Sequence, residues 1–158
     1  METQTQAPIN AVQQVPFVRH SGFELVAAGP GWAIAAADQR PQFTSHVGTF
    51  QGAAIYGLAE TAVSTVLAGI AGPDLMATDI IIAAASIGFD KAARDHITAH
   101  ATLSESAERI KTRLDRDGAT SLAVVVRIRD ESGAEVGRAE FSCRMTRRER
   151  PRANVAAS

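Results

Sequence analysis

The sequence is poor in the residue types that mark disulfide-rich, redox and nucleic-acid-binding proteins. It contains a single cysteine, which excludes an internal disulfide and fits a reducing, cytoplasmic compartment. Aromatic residues make up only 5% of the chain, too few to predict a surface on which bases stack. A glycine-rich phosphate loop and a redox cysteine pair are also missing, which argues against nucleotide hydrolysis and disulfide exchange.

Neither sign of charge is in excess. The net charge is -1 over 158 residues, so we expect neither nucleic acid nor an anionic membrane as a partner. The first residues lack the basic start and apolar run of a signal peptide. With 46% hydrophobic residues, the chain is long enough to bury a core and predicts one globular domain.

Local composition divides the chain into three segments. The polar, glutamine-rich residues 1–15 predict a disordered arm. Residues 16–147 carry the periodic apolar patterns and form the expected domain. Residues 148–158 are charged and then small, and predict a frayed tail.

One long apolar helix is expected between Gly48 and Gly72, with Thr49 as its N-cap and Gly72 as its end. Apolar residues recur on most of its sides, which predicts a largely buried helix. Glu60 lies in its middle, and a charge there is costly unless it is paired or used.

Short alternating runs around this helix predict a sheet. A hairpin precedes the helix, and consecutive antiparallel strands follow it, with a β-bulge near Gly137 in the last. We therefore expect an α+β fold in which the sheet curls around the helix. The strands are expected at 22–28, 32–38, 78–89, 96–103, 109–114, 121–130 and 135–145.

Two histidines at a spacing of four could be read as metal ligands. Their segment alternates as a strand, where residues four apart are separated by about 13 Å. We therefore interpret His96 and His100 as surface residues and expect no metal site.

The run from Gln51 to Ala62, QGAAIYGLAETA, resembles the helix signature of hotdog-fold acyl-CoA thioesterases of the phenylacetate-degradation type. The segment from Ser86 to Leu103 and the final hairpin are similar to the same proteins. The resemblance spans about residues 20–146. It implies a hotdog fold, in which an antiparallel β-sheet wraps one long central α-helix. It also implies a fatty or aryl acyl-CoA substrate, no cofactor beyond the coenzyme A of that substrate, and a homodimer or homotetramer.

The resemblance also implies a catalytic site. Glu60 would act as nucleophile or as general base on water, the backbone N–H of Gly52 would polarise the thioester carbonyl, and Gln51 would help to position it. A helix N-terminus suits this task, since its free N–H groups and positive partial charge stabilise a developing oxyanion. An alternative for Glu60 is a salt bridge across an oligomer interface.

Helix geometry predicts that two subunits share the site. Gly52 and Glu60 are eight residues apart, about 12 Å along one helix, whereas both must reach the same thioester group. The N–H donor and the carboxylate would therefore come from different protomers. Ser64, one turn after Glu60, is expected to hold the carboxylate or a water. The small residues Ala53 and Gly57 would let a second helix or an acyl chain approach closely.

Other residues near the helix start complete the predicted substrate site. Ser45 and His46 occupy the loop that in similar proteins orients water, and Arg94 is a candidate contact for the phosphates of coenzyme A. The sequence departs from the family pattern at Gln51, where a histidine is usual, and at Ala53, which replaces a second glycine. These departures motivate an alternative, a non-catalytic protein that binds acyl-CoA or a fatty acyl group. A dehydratase is less favoured, since Gln51 does not supply the histidine that such enzymes use.

Overall fold

The computed structural model describes residues 5–149 and has six strands and four α-helices in that range. Two 3-10 turns, Pro41–Phe43 and Gly72–Ala77, flank the long helix. The helices are α1 (Gln6–Gln13), α2 (Pro16–Ser21), α3 (Gly52–Ala71) and α4 (Ala107–Asp117). The strands are β1 (Glu24–Gly29), β2 (Trp32–Asp38), β3 (Thr78–Phe89), β4 (His96–Leu103), β5 (Ala119–Asp130) and β6 (Glu135–Arg147).

The six strands form one antiparallel sheet in the order β1-β2-β4-β5-β6-β3. Its inner face packs against α3, so one helix and one sheet face share a single hydrophobic core. Along β4, the alternating residues that the sequence assigns to the core are all buried. The expected hotdog architecture, a sheet wrapped around one long central helix, is confirmed.

The central helix is shorter at its start than expected. Gln51, rather than Thr49, occupies the N-cap position, and its side chain forms no capping bond. The Thr49 hydroxyl instead lies 2.9 Å from that of Ser45. Gly72 ends α3 with a φ of 58°, as expected of a glycine stop. The stretch from Gly52 is apolar enough to cross a membrane by composition, but it is 67% buried and forms the core.

The expected strand at 109–114 is wrong, because this segment belongs to α4. Ile110 and Leu114 are both fully buried one turn apart, whereas Thr112, assigned to the same strand face, is exposed. Ser106 caps the helix by accepting a hydrogen bond from the Arg109 N–H at 3.2 Å. Gly118 ends the helix in the left-handed conformation, φ 74°.

The expected disordered arm is wrong for the part that the structure describes. Residues Gln6–Gln13 form α1, which packs against α3 and β1. Ile9 and Val12 are buried in the common core. Residues 1–4, and 150–158 of the expected tail, lie outside the described residues.

Strand β3 is the long, open edge of the sheet. It pairs with β6 over Thr78–Phe89, and most of its residues are exposed on both faces. Ile81 and Phe89 are 56% and 52% exposed. Because the sequence of β3 is apolar on both faces, we expect α3 or a partner subunit to cover it. In the structure, α3 leaves most of the strand uncovered. The expected β-bulge is confirmed, since the β5–β6 register skips one residue beside Gly137.

Candidate active site

Glu60 lies where two cavities meet. One cavity, of about 450 Å³, extends from Glu60 and Ser64 toward Leu75. The other, of about 320 Å³, extends from the same two residues toward Phe17. Val12 of α1 lines both, so the N-terminal helix forms part of the wall around the carboxylate.

The surroundings of the Glu60 carboxylate are apolar apart from a few hydroxyl groups. The side chain is half-buried, and none of the ion pairs among residues 5–149 includes it. The structure therefore gives no intrachain salt bridge that would explain a charge at this position. Ser64 follows one helical turn later, on the same side of α3.

Tyr56 is a neighbour of Glu60 on α3 and a further candidate for the site. It precedes Glu60 by one turn, and its ring packs 5.6 Å, between centroids, from that of Phe141 on β6. Burial raises the pKa of the Tyr56 hydroxyl, and the charges of Glu60 and Cys143 raise it further. The hydroxyl is therefore a neutral hydrogen-bond donor close to the carboxylate at ordinary pH. The one feature of the sequence that indicates this neighbourhood is the position of the tyrosine, one helical turn before Glu60.

A separate cavity of about 380 Å³ lies at the N-terminus of α3. It is lined by Gly52, by Phe89 at the end of β3, and by Lys91 and Ala93 in the following loop. A Cβ atom placed on Gly52 would lie 3.2 Å from the ring of Phe89, so glycine keeps this passage open.

Free backbone donors lie at the helix tip, where Gly52 also lines this cavity. Within residues 5–149, Ala54 is the first residue of α3 whose N–H has a backbone acceptor, the Gln51 carbonyl at 2.9 Å. The N–H groups of Gly52 and Ala53 have no backbone acceptor there. Two donors at the positive end of a long helix can hold a carbonyl oxygen that gains charge.

Hydrogen bonds tie the loop before α3 together and to the helix tip. Ser45 accepts and donates hydrogen bonds across the loop to Thr49. His46 is exposed at its end. The Arg94 guanidinium donates to the Gly48 carbonyl at 2.7 Å and so braces the loop, although most of its side chain is exposed. These residues, with Gln51, form one group around the helix tip, remote from Glu60 within the chain.

Gly57 packs against aromatic residues of its own chain. Its backbone faces Phe17 and Phe23 of the same chain, and a Cβ atom there would lie 3.2 Å from the Phe17 ring. It therefore lets α2 and its neighbours approach the helix closely, and the approach of a second helix or an acyl chain along this row of small residues stays a prediction. Ala53 is exposed and remains free for such an approach.

The two histidines on β4 hold neighbouring side chains on the sheet. The His96 Nδ1 lies 2.7 Å from Asp38, and the His100 Nε2 lies 2.9 Å from Thr98. Burial and the nearby Arg129 lower the pKa of His100. The strand spacing that separates the two rings is confirmed.

Solved structures of thioesterases share this fold. A Pseudomonas aeruginosa protein described as a probable thioesterase superposes with a TM-score of 0.76 at 19% identity, over 93% of this chain and 98% of that one. The Escherichia coli PaaI protein of the phenylacetic acid degradation operon has a TM-score of 0.67 at 13% identity, covering 89% of each chain. A Haemophilus influenzae thioesterase gives 0.72 at 20% identity and 96% of each chain.

Sequence comparison places the chain in a family that is described as being of unknown function. No curated protein sequence matches it. A family model described as a domain of unknown function, DUF4442, matches residues 6–145, which include α1 and the whole sheet as far as β6. The chain is thus a member of the DUF4442 family, with the hotdog fold of the thioesterases.

Proposed function

We propose that this protein is an acyl-CoA thioesterase that works as a dimer or a larger homo-oligomer. The observation that carries the proposal is the separation of two complementary groups on one helix. Glu60 lies between two cavities without an ion-pair partner among residues 5–149, and free N–H donors lie eight residues away at Gly52. Either group alone has no evident use, and together they form a hydrolytic site.

Two-fold symmetry brings the groups together. In an antiparallel pair of α3 helices, the tip at Gly52 of one protomer lies beside Glu60 of the other when the axis passes near residue 56. Tyr56 then lies close to its own symmetry copy. Ser64 of one protomer then lies beyond the helix tip of the other, on the side of the loop that carries Ser45 and His46. Each dimer has two such sites, both built from two chains.

The open edge of β3 supports this assembly. A second β3 can continue the sheet through its unpaired backbone groups and cover Ile81 and Phe89. Phe89 also lines the cavity at Gly52, so the interface and the substrate entrance adjoin. Lys91 at the same entrance and Arg94, which donates to the nearby Gly48 carbonyl, would then contact the phosphates of coenzyme A.

The reaction follows from these positions. The thioester carbonyl oxygen accepts hydrogen bonds from the Gly52 N–H region, and the Gln51 side chain beside it helps to orient the carbonyl. Glu60 takes the proton of a water held with Ser64 as that water attacks the carbonyl carbon, or attacks the carbon itself to form an anhydride that water then opens. In both routes the C–S bond breaks, the thiolate is protonated, and the carboxylate is regenerated.

Replacement of Glu60 tests the proposal directly. Glu60→Gln keeps the shape of the side chain and removes the base, so we expect kcat on acyl-CoA to fall by at least about a thousandfold. Turnover is measured as thiol release over a panel of short, medium, long and aryl acyl-CoAs. The matched control is Glu24→Gln, the same change at an exposed position on β1, which should leave turnover unchanged.

Two outcomes would contradict the proposal. Full activity of a folded Glu60→Gln protein would remove the assigned role of this carboxylate. A wild-type protein that binds acyl-CoA but hydrolyses none of the panel would instead favour the non-catalytic binding function.

A further inference from the structure

The 450 Å³ cavity beside Glu60 is polar at one end and apolar at the other. We call it the tail cavity and define it by Glu60, Ser64, Leu67, Ala68 and Leu75, with Ala11 on the side of α1. Its only polar side chains, Glu60 and Ser64, are one helical turn apart, so all its polarity lies at the carboxylate end. The remaining lining residues are aliphatic, and this predicts an aliphatic occupant.

We infer that the tail cavity takes the hydrocarbon end of a straight-chain acyl group of about eight to ten carbons. This inference rests on the proposed thioesterase function, which places the thioester carbonyl beside Glu60. The second cavity at Glu60 extends to Gly57 and Phe17, and so toward residue 56, where the proposed two-fold axis passes. The tail cavity leads away from that axis, so a chain entering past the partner's helix tip continues into it.

The length of the cavity sets the length of the chain. Ala68 follows Glu60 by eight residues, which corresponds to about 12 Å along the helix. A staggered alkyl chain advances roughly 1.25 Å per carbon. About nine or ten carbons therefore span the distance from the carboxylate to the level of Ala68.

The shape of the cavity favours a linear group over an aromatic one. Glu60, Ser64 and Ala68 lie in one row on α3. The side chains of Ser64 and Ala68 are short, so the wall of the cavity is open along this row. This row forms one wall of the tail cavity, and Leu67 and Leu75 line its apolar end. An aryl group is shorter and wider, and would leave that apolar end unfilled.

Chain-length profiles test the inference. Wild-type kcat/KM is measured from butanoyl-CoA to hexadecanoyl-CoA and on benzoyl-CoA and phenylacetyl-CoA. We expect a rise of about fourfold for each added methylene up to eight to ten carbons, because each methylene leaves water, and no further rise beyond. Higher kcat/KM on either aryl substrate than on octanoyl-CoA overturns the inference, as does a profile that stops rising before eight carbons or still rises beyond ten.

Variants of the cavity wall locate the specificity. Ala68→Leu shortens the tail cavity and should move the optimum down by about four carbons, with butanoyl-CoA turnover retained. Leu75→Ala should move it up by about two carbons. Ala11→Leu, from the half-exposed side of α1, should shorten the optimum if Ala68→Leu fails to fold. Ala7→Leu, the same change on an exposed position of α1, is the matched control and should shift nothing.

Binding separates this inference from the proposed function. The affinities of non-hydrolysable thioether analogues of the same acyl-CoAs, measured by calorimetry, should follow the same length dependence. If no acyl-CoA is hydrolysed but the affinities of the thioethers rise with chain length as expected, the proposed thioesterase function fails and the assignment of the tail cavity as an acyl-chain site is supported. If the affinities do not change with chain length, or Leu75→Ala leaves the optimum unmoved, the tail cavity is wrongly assigned.

Discussion

A single carboxylate in an apolar helix distinguishes this chain at the residue level. Glu60 could be singled out from the sequence, because an unpaired charge in a core helix demands an explanation. Tyr56 could not, since its closeness to Glu60 and Phe141 depends on how β6 packs against α3. The surroundings of Tyr56 on α3 can therefore be described only from the tertiary contacts of the structure.

Cys143 gives the protein a pH-dependent stability in the alkaline range. Burial raises the pKa of its thiol from 9.0 to about 11, so the unfolded chain ionises first as the pH rises. Stabilisation from the neutral buried thiol is present below pH 9 and is lost between pH 9 and 11. We expect the free energy of unfolding to fall by about 2 kcal/mol over this range, as urea titrations at each pH can measure.

The variant Cys143→Ala isolates this contribution. It lowers stability at every pH through the lost packing, but it should remove the steep decline that begins at pH 9. Tyr56 also has a raised pKa, first of all through burial, and adds a decline above pH 10 that should be smaller in Cys143→Ala, because the Cys143 charge is one cause of the shift. An unchanged slope between pH 9 and 10 in Cys143→Ala would show that the thiol does not control it.

At the level of elements, the largest difference between expectation and structure is α4. A six-residue window of alternating charged and apolar residues fits a strand, and it equally fits a helix that buries Ile110 and Leu114. The deciding signals lie outside that window, in the cap at Ser106 and the left-handed Gly118. The residues at the two ends of this segment, more than those inside it, therefore distinguish a helix from a strand.

Loss of the α4 cap should cost stability without affecting chemistry. Ser106→Ala removes the acceptor of the Arg109 N–H, and we expect the free energy of unfolding to fall by about 1 kcal/mol. Chemical denaturation measures the change. Ser104→Ala, the same substitution on an exposed residue before the helix, should have little effect. Equal stability of the two variants would exclude a capping role for Ser106.

The N-terminal helix shows why composition alone misled. Its many glutamines are polar, but Ile9 and Val12 are spaced three apart and both reach the core. Two apolar residues in one short helix give too little periodicity to stand out. Tertiary packing against α3 and β1 supplies the stability that the local sequence lacks.

The sheet was predictable because both of its patterns are local. The buried alternation of β4 and the bulge beside Gly137 follow from the period of two and from one phase change. The strand order is not local, and only the structure reveals that β3 lies beyond β6 at an edge. The residues at the helix tip could be named from the resemblance, but the passage formed by Phe89 could not.

At the level of the whole molecule, the proposed site requires two chains, and mixed dimers can test this. Gly52→Pro removes the N–H donor at the first helical position, where proline is tolerated and Gln51 already has an extended ψ of 135°. Gly52→Ala adds the same Cβ atom but keeps the donor, and serves as the control. We expect Gly52→Pro to lose about a hundredfold or more in kcat relative to Gly52→Ala.

Co-expression of Gly52→Pro with Glu60→Gln should restore activity that neither variant has alone. Half of the randomly formed dimers are mixed, and each mixed dimer regains one of its two sites, giving about a quarter of wild-type kcat. A site within one chain would give no recovery. Differently tagged chains, purified in sequence, allow the mixed dimer to be assayed by itself.

The uncovered strand β3 also has a consequence for a protomer on its own. Twelve residues of one strand present a free ladder edge with Ile81 and Phe89 in contact with water. Such an edge can form β-sheet hydrogen bonds with the backbone of other chains, including chains that are not its native partner. Newly made chains at low abundance would therefore be the ones most exposed to wrong pairing, and rapid self-association would act as their safeguard.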